Sequence, residues 1–296
     1  MVLSQRPPFV YFRRRLRRVL VGASLAVLLA PALAWAKPLG FAVIDPELER
    51  GGAASSSQID ALMRRMESAA GLPAGTLRGQ GFNSFESAEA QLAKGQVAFA
   101  LAPAYAFAKL WKRGGVQVMG YAGGLDPKAK TYKLVARSAD PVGPAIHQHP
   151  GLRLATKERD LQWLNVVFDG LLNPTRHFRE IVQTQSEAEA LDAVEAGKAD
   201  VALVWAEHLS RHKAQVGTNR PLRIAYTSGE FPPPALLTLR GRAPGKLVKA
   251  LTKALPEVCK GQDHIDVCAD LGFFSLVVGP HELHPHAAYK YDKYKM

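Results

Sequence analysis

The stretch Ser84 to Trp111, SFESAEAQLAKGQVAFALAPAYAFAKLW, decides the fold. Its alanine-rich first half has apolar residues at helical spacing and ends at Gly95, and the short apolar run Val97–Leu101 follows. This order predicts a helix, a glycine stop and a buried strand, and then a second helix after the loop that carries Tyr105.

A second copy of this pattern runs from Ser186 to His212, SEAEALDAVEAGKADVALVWAEHLSRH. Its helix ends at Gly197. Trp205 follows its apolar strand, in the place that Tyr105 has after the strand of the first copy. Ser186 and Glu189 have the spacing of a capping box. Two copies of one module predict two similar lobes with a site between them.

Strands and helices alternate along the rest of the chain. This alternation predicts an α/β fold in which each lobe is a wound, mainly parallel sheet flanked by helices. One strongly amphipathic helix is predicted over residues 158–172, and the His-, Lys- and Tyr-rich tail over 281–296 is predicted to be surface structure or disorder. The predicted domains are lobe 1 over 37–132, lobe 2 over 133–229, and a return part of lobe 1 with the tail over 230–296.

The first 36 residues have the three parts of a secretory signal. A run of arginines precedes an apolar segment of about 15 residues, which is short for a membrane span, and Ala34-Trp35-Ala36 is a small-x-small cleavage site. We therefore predict an exported, periplasmic protein that is cleaved after Ala36. An uncleaved membrane anchor is the alternative.

The charge of the exported chain argues against nucleic-acid binding. The full chain of 296 residues carries a formal charge of +12, and removal of the first 36 residues, with six arginines and no acid, leaves +6. No basic run interleaved with aromatic residues remains.

The two cysteines, Cys259 and Cys268, lie nine positions apart. In an exported protein such a pair predicts a disulfide that closes a short loop. Two free buried thiols are the alternative.

Five local segments carry a resemblance to a known family. They read AKGQVAFALAPAYAFAKL, KTYKLVARSADPV, SEAEALDAVEAGKADVALV, LRIAYTSGEFPPPALLTLRG and LGFFSLVVG. Together they resemble the periplasmic substrate-binding proteins of phosphate/phosphite/phosphonate ABC transporters, over about residues 39–276. The resemblance implies the two-lobed type 2 periplasmic binding fold, a small anionic ligand held between the lobes and an ABC permease as partner. We expect a monomer without a cofactor.

The family holds its anion on a hydroxyl-rich turn after the first strand of the second lobe, where this chain reads Ala155-Thr156-Lys157-Glu158-Arg159-Asp160. A hydroxyl and cationic groups at a helix start are suited to an anion, although a capping threonine with solvated charges is the plainer reading. Seven residues are candidate ligand contacts: Ser84, Tyr105, Tyr132, Thr156, Lys157, Arg159 and Trp205. The alternative role of Ser84 is helix capping. The alternative role of the two tyrosines and Trp205 is packing within the protein.

Two positions differ from the family pattern. Glu187 stands where the family often has a histidine, and Trp205 stands where it often has an acidic ligand residue. The altered anion-binding turn and Trp205 favour an alternative function, that of an accessory or sensory protein of an envelope redox or membrane system with the same fold.

No nucleophile elbow, catalytic triad, phosphate-binding loop or paired-carboxylate motif is present, so we predict a protein that is not an enzyme. His281, His284 and His286 have a spacing that metal sites use. Because they lie in a proline-containing tail, we expect no rigid metal site there.

Overall fold

The computed structural model describes residues 37–45, 53–124, 130–143, 145–216, 221–261 and 267–295. The predicted signal peptide and its cleavage site after Ala36 lie outside these residues. Lys37–Met296 form one compact unit. Within the described residues no helix has the length and apolar character to cross a bilayer.

A six-stranded sheet with the strand order β11-β4-β10-β3-β1-β2 forms the core of the first lobe. Strands β2 and β3 pair with β1 in parallel, whereas β10 and β11 pair antiparallel. The elements of this lobe are β1 (Leu39–Ile44), α1 (Ala53–Ala69), β2 (Leu77–Phe82), α2 (Phe85–Ala93), β3 (Val97–Ala102), α3 (Ala104–Arg113), β4 (Val116–Gly123), β10 (Ala235–Leu239), α8 (Gly245–Val258), β11 (Ser275–Val278) and α9 (Leu283–Lys293).

A five-stranded sheet with the order β7-β6-β8-β5-β9 forms the second lobe. Strands β7 and β8 pair with β6 in parallel, and β5 pairs antiparallel with β8 and β9. The elements are β5 (Lys130–Arg137), β6 (Leu152–Thr156), α4 (Leu161–Val167), α5 (Pro174–His177), β7 (Phe178–Gln183), α6 (Glu187–Glu195), β8 (Val201–Trp205), α7 (Ala206–Val216) and β9 (Leu222–Phe231).

The predicted α/β architecture with two sheets is confirmed. The parallel pairs come from the βα modules, and every antiparallel pair includes β5, β10 or β11, so each sheet is mixed and not mainly parallel as predicted. The chain enters the second sheet at Lys130 and leaves it at Phe231, slightly outside the limits predicted for lobe 2.

The two βα modules have the predicted form. Helix α2 ends before Gly95 and helix α6 before Gly197, and these glycines have φ of 73° and 71°. A residue with a side chain rarely adopts this backbone conformation, which explains why glycine ends both helices.

The helix predicted over 158–172 is shorter than the sequence pattern suggests. Helix α4 begins at Leu161, and its N-cap is Asp160, whose Oδ1 accepts a hydrogen bond from the Trp163 amide at 2.9 Å. Residue 169 has a φ of 53°, outside the helical range, so the helix ends before it. The side chains of Trp163 and Leu164 are buried.

Of the two alternatives predicted for the tail, surface structure is confirmed in the described part. Residues 283–293 form helix α9, which packs on α3 and also contacts α4 and β9 of the second lobe. Its buried side chains are His284, Ala287, Ala288 and Tyr291. This apolar stripe was hidden in the sequence by the surrounding His, Lys and Tyr residues.

Cys259 and Cys268 form the predicted disulfide, which follows helix α8. Among the described residues no free cysteine is present.

Candidate functional site

A small cavity of about 40 Å³ lies between the two lobes. Its lining residues follow the carboxyl ends of four strands, β2, β3, β6 and β7, which is where wound sheets bind ligands. Its volume is enough for only a few water molecules. The lining residues are Asn83, Ser84, Glu86, Tyr105, Lys157, Glu158, Arg159, Asp160, Thr184 and Gln185.

The first lobe contributes the start of helix α2 and one tyrosine. The Ser84 hydroxyl accepts a hydrogen bond from the Ser87 amide at 3.1 Å, so Ser84 is the N-cap of α2 while it also lines the cavity. The Tyr105 hydroxyl accepts a hydrogen bond from the Phe85 amide at 3.2 Å. Burial, assisted by the negative charge of Glu158, raises the pKa of Tyr105, so this phenol keeps its proton and can donate it to a ligand.

The turn between β6 and α4 forms the second wall. The Thr156 hydroxyl is fully buried and accepts a hydrogen bond from the Glu158 amide at 3.1 Å. Thr156 therefore stabilises the turn from within and does not line the cavity. Lys157 does line it, and its Nζ lies 3.0 Å from Oε1 of Glu187 in an ion pair whose two side chains are 8% and 1% exposed.

Glu158 is the central ionisable group of this wall. Its Oε1 accepts a hydrogen bond from the Tyr132 hydroxyl at 2.7 Å. Burial raises the pKa of the Glu158 carboxyl, and the neighbouring Glu187 and Asp160 raise it further, whereas Lys157 and the Tyr132 hydrogen bond lower it. The net effect is a pKa above the ordinary value.

An aromatic cluster packs beside this carboxyl. The rings of Tyr132 and Trp205 stack with centroids 3.7 Å apart, and Trp163 donates its indole N–H to the Tyr132 hydroxyl at 3.3 Å. Phe231 contacts both Tyr132 and Trp163. Tyr132 is only 2% exposed. Tyr132 and Trp205 thus pack on each other and do not line the cavity.

The carboxylate of Asp160 joins the two lobes at the edge of the cavity. Its Oδ2 lies 2.6 Å from Nζ of Lys109 on α3 and accepts a hydrogen bond from the Tyr291 hydroxyl of α9 at 3.1 Å. Burial opposes the charge of Lys109, but its hydrogen bonds to Asp160 and Glu86 raise its pKa above the ordinary value.

The structure therefore brings together four of the seven candidate ligand contacts, Ser84, Tyr105, Lys157 and Arg159, in one cavity, and places Thr156, Tyr132 and Trp205 in its supporting walls. Arg159 is exposed. Sequence reasoning missed Glu86, Glu158 and Asp160 as lining residues. Their position beside the predicted cationic turn and helix start was the only available signal.

A group of side chains of the types that bind metal ions lies elsewhere on the molecule. In the described residues, three groups whose ligand atoms lie within 4.8 Å of one another are Asp192, Glu195 and His212. The tail histidines are arranged differently: His284 is buried with its Nε2 3.0 Å from the Pro233 carbonyl.

Comparison with known proteins identifies the family. The family described as "ABC transporter, phosphonate, periplasmic substrate-binding protein" matches residues 52–279. The chain belongs to this family. Its members are substrate-binding proteins and not enzymes, which confirms the prediction for this chain. The family implies a periplasmic solute-binding role, a small-molecule ligand and an ABC permease as partner.

Solved structures support the same fold. The binding protein component of an ABC phosphonate transporter from Pseudomonas aeruginosa matches with a TM-score of 0.66 and 13% identity, over 87% of each chain. A Xanthomonas citri protein bound to ATP matches with a TM-score of 0.67 and 14% identity, over 87% of this chain and 98% of that chain. PhnD1 from Prochlorococcus marinus, in complex with methylphosphonate, matches with a TM-score of 0.64 and 10% identity, over 87% and 98%. A search of curated proteins gives no significant match.

Proposed function

We propose that this binding protein captures a small phosphonate- or phosphate-like anion between its lobes and delivers it to an ABC permease. The observation that carries the proposal is the cavity at the carboxyl ends of strands from both sheets. A ligand held there contacts both lobes, and this is how a two-lobed binding protein couples ligand binding to lobe closure.

Charge and hydrogen-bond donors favour an anion at the cavity mouth. Arg159 is exposed beside the cavity, and a guanidinium binds an oxyanion through two parallel hydrogen bonds. Ser84 and Tyr105 add neutral hydroxyl groups from the opposite lobe. Because the cavity is small, the proposed ligand enters an opened form of the cleft and the lobes close on it.

A specific observation also supports the accessory or sensory alternative. Trp205 and Tyr132 stack on each other, and Lys157 is paired with Glu187. Side chains that are already bonded to each other favour a cleft that stays closed. A protein with such a cleft would act by contacting a partner protein and not by taking up and releasing a ligand.

Isothermal titration of the exported chain with methylphosphonate, inorganic phosphate, phosphite and sulfate tests the proposal. We expect at least one of these anions to bind, and Arg159→Gln to weaken its binding by about 10–100-fold, the loss expected for a charge-assisted hydrogen bond. Arg211→Gln is the matched control, because Arg211 is an exposed arginine on α7, 66% exposed in its side chain. Equal affinities of Arg159→Gln and Arg211→Gln for the anion, or no binding of any anion, would contradict the proposal.

A further inference from the structure

Two of the side chains predicted to hold an anion in this cleft, those of Lys157 and Tyr132, are bonded to buried carboxylates of the chain itself. Lys157 lies 3.0 Å from Glu187, and the Tyr132 hydroxyl donates to Glu158 at 2.7 Å. The Trp205 amide also donates to Glu187, at 2.9 Å. Glu187 is 1% exposed and Glu158 is 6% exposed.

Backbone groups of the turn between β6 and α4, residues 156–160, also form hydrogen bonds within the chain. The Glu158 amide donates to the Thr156 hydroxyl, and the Glu158 carbonyl accepts a hydrogen bond from Gln183 at 3.3 Å. A hydroxyl and an amide that could have bonded an oxyanion therefore bond each other. Of the two carboxylates, only Glu158 lines the cavity.

We propose that Glu158 is a built-in competitor of the anionic ligand: its carboxylate lines the cavity, accepts the Tyr132 hydrogen bond in the ligand-free cleft and limits which anions the cleft accepts. An incoming anion meets a like charge unless Glu158 is protonated or turns away. This inference rests on the proposed function, because it takes the ligand to be an oxyanion.

The ionisable groups that surround Glu158 come from four elements. They are Tyr132 on β5, Tyr105 on α3, Lys157 and Asp160 on the turn itself, and Glu187 on α6. Lys157 is the cation among them, and it is already paired with Glu187. An anion bound beside Glu158 therefore relies on Arg159, which lines the same cavity, to offset the repulsion.

The direct test compares the exported chain with Glu158→Gln in titrations with sulfate, inorganic phosphate and methylphosphonate. The amide oxygen of glutamine can still accept the Tyr132 hydrogen bond, so the aromatic cluster is retained. We expect Glu158→Gln to bind sulfate roughly tenfold or more tightly than the unaltered chain, the size of effect that a like charge at about 4–6 Å has on an ionisation equilibrium. Glu257→Gln is the charge-matched control, since Glu257 lies at the surface near the end of α8 and pairs with Lys260.

A second measurement covers the case in which Glu158→Gln does not fold. The charge of sulfate does not change as a neutral solution is acidified, so the affinity of the unaltered chain for sulfate should rise as the pH is lowered and Glu158 takes up a proton. An affinity that is independent of pH, or equal in Glu158→Gln and the unaltered chain, would overturn the inference while leaving the proposed function intact. Glu158→Gln could bind an anion that the unaltered chain does not bind. That result would support the inference about Glu158, and it would contradict the proposal that the unaltered chain captures anions. If no anion binds to either protein, both proposals fall.

Discussion

The hydrogen bond between Tyr132 and Glu158 shows how much of this site depends on single atoms. The Tyr132 hydroxyl donates to Glu158 and accepts from the Trp163 indole, so both of its hydrogen-bonding roles are used inside the protein. Burial raises the pKa of Tyr132 well above its ordinary value, and the negative charge of Glu158 adds to this effect. The phenol therefore keeps its proton and donates it to the carboxyl.

Loss of this hydroxyl should destabilise the fold. Tyr132→Phe keeps the ring and its stack on Trp205 but leaves the buried Glu158 oxygen without its donor. We expect the free energy of unfolding to fall by about 1–3 kcal/mol, the cost of an unsatisfied buried polar group.

Urea denaturation followed by tryptophan fluorescence measures this loss. The matched control is Tyr289→Phe, because Tyr289 is 64% exposed and the removal of its hydroxyl should leave the stability unchanged. Equal stabilities of the two variants would show that the hydroxyl of Tyr132 contributes nothing to the fold.

At the scale of elements, the docking of helix α9 on the first lobe depends on His284. His284 in its first turn contacts the Phe107 ring of α3, with ring centroids 4.8 Å apart. Its Nδ1 accepts a hydrogen bond from the His281 amide at 3.0 Å, and its Nε2 lies 3.0 Å from the Pro233 carbonyl. This geometry requires the neutral imidazole with its proton on Nε2.

Acid should weaken the docking of α9. Burial lowers the pKa of His284 to about 4, whereas a histidine in the unfolded chain titrates near 6.5. Because the unfolded state then binds the proton more readily, the contribution of His284 to stability is complete above the unfolded pKa and is lost as the pH falls towards the folded one. The full loss is up to about 3 kcal/mol.

The expectation is tested by measuring the Tm at pH values from neutral down to the pKa that His284 has in the folded protein. His284→Gln should flatten the decrease in Tm on acidification, because glutamine does not titrate. His286→Gln, which alters an exposed histidine two residues further along the same helix, should keep the decrease of the unaltered chain. The same acid slope in all three proteins would rule out His284 as its cause.

At the scale of the whole molecule, α9 and Asp160 hold the two lobes together across the cavity. Tyr291 and Tyr294 accept hydrogen bonds through their carbonyl oxygens from Gln162 and Asn165 of α4. The Tyr294 hydroxyl donates to Asp169 at 3.0 Å. Opening of the cleft therefore has to break bonds at the end of α9 as well as the Lys109–Asp160 ion pair.

Weakening this ion pair should open the molecule. Asp160→Asn keeps an oxygen that can cap α4, but it removes the negative charge that binds Lys109. We expect a larger radius of gyration in small-angle scattering of the ligand-free protein, and recovery of the compact form when a ligand binds.

The control for this variant is Glu89→Gln, which breaks an exposed ion pair with Arg113 inside the first lobe. It should scatter like the unaltered chain. If Asp160→Asn also gives an unchanged profile, the ion pair does not govern the separation of the lobes.

The sequence by itself determined the two modules, the strands and helices that surround them and the disulfide. Helical and strand periodicity, capping serines and the glycines at 95 and 197 act over a few neighbouring residues, so they can be recognised from spacing alone. The helix starts and the family resemblance predicted a site at the turn 156–160 and at Tyr105, and residues 157–160 and Tyr105 line the cavity.

Only the tertiary structure decided which charged groups meet. Glu158 bonds Tyr132, Lys157 pairs with Glu187 and Asp160 pairs with Lys109, and each of these contacts joins residues between 26 and 51 positions apart. Local sequence patterns carry no information on such pairings, because the distance between two side chains is set by how the sheets and helices pack. For the same reason the sequence predicted a cationic turn open to a ligand, whereas in the folded chain Lys157 of that turn pairs with Glu187, and Glu158 of the turn itself lines the cavity.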